Sequence, residues 1–118
     1  MSQAAQARAV DLEHLARYTG GDVALNSEVL GLFANQAAEL IAKLQTVLET
    51  RDLKTWKDIT HSLKGAARGI GAFEFANAAA FAEPFEPALD NASAVEALQS
   101  LKREAEIVQR FIDAYLAR

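Results

Sequence analysis

Apolar residues recur at three- and four-residue steps along most of this chain, and strand-like alternation is rare, so the pattern predicts an all-helical protein. A first helix over about 11–19 starts at Asp11, a side chain suited to capping, sets Leu12, Leu15 and Tyr18 at helical spacing, and stops at Gly20-Gly21. A long second helix, 23–50, follows Asp22 and carries Val29, Leu32, Phe33, Ala37, Leu40, Ile41, Leu44, Val47 and Leu48 as one apolar stripe. The third, 53–70, follows Asp52 and repeats Leu53, Trp56, Ile59, Leu63, Ala66, Ala67 and Ile70 in register until Gly71. A fourth, alanine-rich helix over 72–83 carries Phe73, Phe75, Ala76, Ala79 and Phe81, and Pro84 closes it because proline has no amide to continue the ladder. The stretch from Phe85 to Asn91 reads as a loop. The last helix, 94–117, opens on Ser93-x-x-Glu96, which has the form of a capping box, and runs through Leu98, Leu101, Ala105, Val108, Ile112 and Tyr115. Four amphipathic helices joined by short connections are best satisfied as an antiparallel up-and-down four-helix bundle, with the short N-terminal helix covering one end.

Composition narrows the class. At 118 residues the chain fits one domain spanning 1–118, and with 51% hydrophobic residues it can bury a core without staples. Sixteen acidic against 12 basic residues give a net charge of -4, the wrong sign for a general nucleic-acid binder, although a local basic patch is compatible with it. The absence of cysteine excludes disulfides, thiolate metal sites and a cysteine nucleophile. The opening Met-Ser-Gln-Ala-Ala-Gln-Ala-Arg has no apolar core of a signal peptide, and no later stretch is apolar enough to span a bilayer. The expectation is a cytoplasmic protein with no membrane contact.

The two histidines differ in their surroundings. On a helix of about 100° per residue, Ile59, Leu63 and Ile70 lie roughly 160 to 180° from His61, whereas Lys54, Lys57, Lys64, Gly65 and Arg68 fall within about 60° of it. His61 is therefore expected to point outward among cations. Trp56, on the opposite side, is expected in the core. A lone histidine or a charged helix face is ordinary by itself, but here the two coincide. Lys54 and Lys57 also sit in the first turns, where the helix dipole disfavours cations, with Asp52 and Asp58 offsetting them in part.

Gly65 sharpens the case. A glycine inside a helix costs about 0.8 to 1 kcal/mol relative to alanine, so it calls for a reason. One reason is a close helix crossing; the outward direction of Gly65 favours the other, an open notch beside the imidazole. An exposed imidazole can act as a nucleophile while Lys and Arg attract an anionic phosphoryl group. Metal binding is disfavoured by the same cations and by the lack of a second ligand at suitable spacing. Asp58 and Glu74 form no base-and-orienter constellation with His61, so autonomous hydrolysis has no machinery. His14, next to Glu13, Leu15 and Ala16, has neither a cationic cluster nor a glycine opening in sequence and reads as an ordinary helix residue. Phe73, Phe75, Phe81 and Phe85 read mainly as core, with room for one or two on an apolar rim.

The run His61-Ser62-Leu63-Lys64-Gly65-Ala66-Ala67-Arg68-Gly69-Ile70-Gly71 resembles the signature of histidine-containing phosphotransfer (HPt) domains, in which a lysine, a glycine and a small residue follow the phosphorylated histidine and a second glycine comes later. Lys64, Gly65, Ala66 and Gly71 match it. The likeness extends through Gly20-Gly21-Asp22, Leu25, Phe33, Gly71-Ala72 and Glu83, nearly the whole chain. Thr60, where alanine is common, and Arg68, where a smaller or uncharged residue is frequent, depart from the pattern in ways that bear on partner choice. The resemblance implies a phosphorelay intermediate: His61 takes a phosphoryl group from the aspartyl phosphate of a response-regulator receiver domain and passes it to another receiver's aspartate. It implies that Lys64 stabilises the phosphoryl oxygens, Gly65 leaves room for them, and Arg68 and Lys57 add field or partner contacts. It implies no kinase activity and no bound cofactor, with Mg2+ on the partner receiver. The expected partners are the receivers of a hybrid histidine kinase and of a downstream regulator, and the expected state is a monomer. A degenerate HPt-like module that docks a receiver or kinase without exchanging phosphate is the alternative; the dimeric type of histidine phosphotransferase fits less well, because this chain has helices enough to close its own bundle.

Overall fold

The computed structural model describes residues 9–118, and the opening eight residues, on which the reading of an N-terminus without an apolar segment falls, lie outside the described residues. Five helices follow in order: α1 Leu12–Thr19, α2 Val23–Thr50, α3 Leu53–Ile70, α4 Phe73–Ala82 and α5 Asn91–Leu116. Aspartates begin the first three. The Asp11 carboxylate accepts from the amides of Glu13 and His14, Asp22 from Leu25, and Asp52 from Thr55, which satisfies donors that a helix start leaves free. Residues in the left-handed region end the same three helices: Gly20 at φ 67°, Arg51 at φ 60° and Gly71 at φ 84°.

Helices α2 to α5 each pack on the one before, and α5 closes onto α2, giving an up-and-down four-helix bundle. The short α1 lies across α2 and α3 at one end. Its start is tied to the α3–α4 turn by the Asp11 amide donating to the Gly71 carbonyl at 2.9 Å. The core is one continuous cluster including Leu15, Leu30, Leu44, Trp56, Leu63, Phe75, Leu98, Leu101 and Ile112. No helix among the described residues is long and apolar enough to cross a membrane.

Three expectations from the periodicity need correction. Leu32 in α2 is exposed and Leu30 is buried in its stead, while Phe33, Ala37, Leu44, Val47 and Leu48 of the expected stripe are in the core and Val29, Leu40 and Ile41 pack against it. Tyr18 likewise faces solvent, whereas the exposed Phe73 and Phe81 stay within the one or two phenylalanines for which the expectation left room outside the core. The last helix begins before Ser93: the amide of Ala94 already donates to the carbonyl of Asp90, while the Asp90 side chain accepts from Glu86. Ser93 therefore stands within the first turn and Glu96 beyond it, so the pair does not occupy the capping positions of this helix.

Candidate functional site

Trp56 sets the geometry from beneath. Its indole is fully buried and its Nε1–H donates to the carbonyl of Ala82 at 2.9 Å, pinning the end of α4 against α3. The next residue, Glu83, is thereby held over the outer face of α3. Pro84 follows and ends the helix, so the Glu83 side chain stays at this corner rather than inside a continuing turn.

On α3 the side chain of His61 is 70% exposed, with its Nδ1 3.3 Å from Glu83 Oε2. The second carboxylate oxygen, Oε1, accepts from the Lys64 ammonium at 2.8 Å. One carboxylate thus bridges the imidazole and the lysine one turn on. Lys64, expected to project among the outward cations, instead lies folded down with its side chain only 18% exposed. The Lys64 ammonium, and after it His61, hold the Glu83 carboxyl below the ordinary carboxylate range, against a smaller opposing push from burial. An ionised carboxylate facing Nδ1 favours the ring proton on that nitrogen over Nε2, which points away from Glu83.

The helix surface beyond His61 is open. A Cβ built on Gly65 or Gly69 would meet no packed group within 4 Å, which rules out a close helix crossing as the reason for either glycine. Together with Arg68, these glycines form one wall of a shallow concavity whose other wall is His14, Tyr18 and Phe73. The His14 ring stands edge-on to both aromatics, 5.7 Å from Tyr18 and 5.1 Å from Phe73 between centroids. His14 therefore does adjoin an arginine and a glycine opening, contributed by α3 and absent from its own stretch of sequence. Leu25, also exposed, continues the apolar surface towards the start of α2.

The remaining candidates fall around this centre. Lys57 and Arg68 are exposed and make no ion pair among the described residues, whereas Lys54 is paired with Asp58 at 2.7 Å. Glu74 lies near Glu104 of α5, whose carboxyl is pushed up by burial and by that like charge. Thr60 is buried and its hydroxyl is spent on the carbonyls of Trp56 and Lys57, so it has no surface with which to influence a partner. Phe75 is core and Phe73 is rim. The residue whose part the sequence left unassigned is Glu83: it is remote from His61 along the chain, and only the α3–α4 hairpin brings the two together.

A family model described as the Hpt domain matches residues 28–113, from the first turns of α2 into the last turns of α5. A search of curated proteins gave no match to the chain.

Proposed function

The chain belongs to the Hpt domain family, whose members are phosphocarrier modules of two-component systems rather than kinases, and on that premise we propose that it carries a phosphoryl group on His61 between receiver-domain aspartates. The observation that carries the proposal is the exposed imidazole with Nδ1 against Glu83 and Lys64 beside it. In the forward step the Nε2 lone pair forms a bond to the phosphorus of the receiver's aspartyl phosphate while the P–O bond breaks and the aspartate leaves as a carboxylate. The ring keeps its Nδ1 proton and becomes cationic, and Glu83 is already in position to balance that charge. Transfer to a second receiver is the same step reversed.

Lys64 has three donors, so it can keep Glu83 and still meet the phosphoryl oxygens. Gly65 leaves room for them. Arg68 and Lys57, which make no ion pair among the described residues, supply positive field or contacts to the receiver. Magnesium belongs to the receiver in this reading. The concavity of His14, Tyr18, Phe73 and Arg68 is the docking surface beside the chemistry.

The test is to incubate the protein with phosphorylated receiver domains. Acid-labile label is expected to arrive on the wild type and not on His61→Gln. Label persisting on that variant refutes the site. Stoichiometric docking that ignores the substitution, with no transfer to the wild type, would mark a binding module instead.

A further inference from the structure

Among the described residues, the only buried hydrogen bonds between side chains run from Thr19 through Asn26 to Tyr115. The Thr19 hydroxyl donates to Asn26 Oδ1, and Asn26 Nδ2 donates to the Tyr115 hydroxyl at 3.0 Å. Thr19 also accepts from the Gly21 amide at 3.2 Å, so the turn leaving α1 is held too. The Tyr115 ring is fixed in turn by stacking on Phe111 and by the Arg118 guanidinium 4.4 Å above it. Three elements, the end of α1, the first turn of α2 and the last turns of α5, therefore meet at one amide.

None of the three residues lies within 28–113, the span matched by the family model. Their place in the fold explains what they do. An eight-residue helix is marginal by itself, and α1 is anchored at its start by the Asp11–Gly71 bond and along its length chiefly by the buried Leu15. Apolar contact alone would let such a helix slide or roll, whereas directional hydrogen bonds to a buried amide select one register. The residue before Thr19 is Tyr18, and with His14 it forms the aromatic wall that faces Gly65 and Arg68. A small roll of α1 would close or flatten that concavity without touching His61, Lys64 or Glu83.

We propose that Asn26 is a positioning residue for partner docking: through Thr19 and Tyr115 it holds α1 in the register that keeps the Tyr18–His14 wall open beside the phosphorylation site. The inference rests on the phosphocarrier reading for the identity of the partner, and on the hydrogen bonds alone for the register of α1.

The experiment compares wild type, Asn26→Leu, Thr19→Val and Thr19→Ser, the last retaining the hydroxyl. All are labelled first with phosphoramidate, a small donor that needs no docking, and then titrated with the receiver that labels wild-type His61. Equal phosphoramidate labelling is expected throughout. With the receiver, Asn26→Leu and Thr19→Val should raise KM about tenfold, about 1.4 kcal/mol of docking free energy, with kcat within about twofold of wild type, and Thr19→Ser should restore the wild-type KM. Hydrogen exchange is followed in parallel. Amides of α1 should exchange about tenfold faster in Asn26→Leu and Thr19→Val while those of α2 to α5 keep their protection. Unchanged α1 exchange or an unchanged KM in these two variants overturns the proposal. A wild type that takes phosphoramidate label but none from any receiver instead refutes the phosphocarrier reading, and the exchange data then decide the role of Asn26 separately.

Discussion

Glu83 serves two donors with one carboxylate, and its chemistry has a definite sign. Because Lys64 first and His61 second lower its pKa in the folded chain below the ordinary 4.5, its contribution to stability is complete above that value and is lost only as the pH falls through the lowered one. Glu83→Gln keeps the shape and removes the charge. It should cost about 1 kcal/mol at pH 7, the scale of a partly exposed ion pair, and the difference from wild type should vanish in acid. Urea denaturation over a pH series measures it, and a difference that stays flat with pH would mean the charge is not what matters. At this scale the sequence was a good guide where a single helix settles the question. The outward direction of His61 and the buried side of Trp56 follow from helical period alone. The folded-down pose of Lys64 and the burial of Thr60 away from partners do not, since each depends on what a neighbouring helix presents.

The glycines separate by element rather than by residue type. Within α3, Gly65 has helical backbone and open space around it, so Gly65→Ala should stabilise the protein by up to about 1 kcal/mol while slowing phosphoryl transfer to His61, because the added methyl stands where the partner approaches. At the end of the same helix, Gly71 has φ 84°, and a Cβ there would stand 2.6 Å from the Asp11 carbonyl oxygen. Gly71→Ala should therefore destabilise by at least about 2 kcal/mol, combining the left-handed penalty with disruption of the α1 anchor. Thermal melts of the two variants, with a transfer assay on the first, test the contrast; equal effects would contradict it. Helix starts at Asp11, Asp22 and Asp52 and stops at Gly20 and Gly71 were legible because caps are local chemistry. The start of α5 was not. Ser93 and Glu96 have the right spacing for a cap, but the Glu86–Asp90 turn winds the helix earlier, and spacing alone cannot tell which of two competing starts is used.

As a whole, the molecule closes its apolar surface on itself: α5 returns to α2, and no buried side-chain nitrogen or oxygen among the described residues lacks a partner. Self-closure predicts a monomer, which sedimentation equilibrium checks; a stable dimer at micromolar concentration would instead implicate exposed apolar residues such as Leu32, Phe81 or Leu89 in self-association. Periodicity, caps and the spacing from His61 to Gly71 were enough for the helical class, for the bundle and for the face that bears the imidazole, because these follow from the period within each helix and from the short connections that make neighbours pack. Which carboxylate attends that imidazole, which aromatics line the concavity beside it, and which amide holds α1 were decided only by tertiary structure. Glu83 meets His61, His14 faces Gly65 across the concavity and Asn26 meets Tyr115 between helices, where placement depends on the rotation and offset of whole helices rather than on any period within a single one.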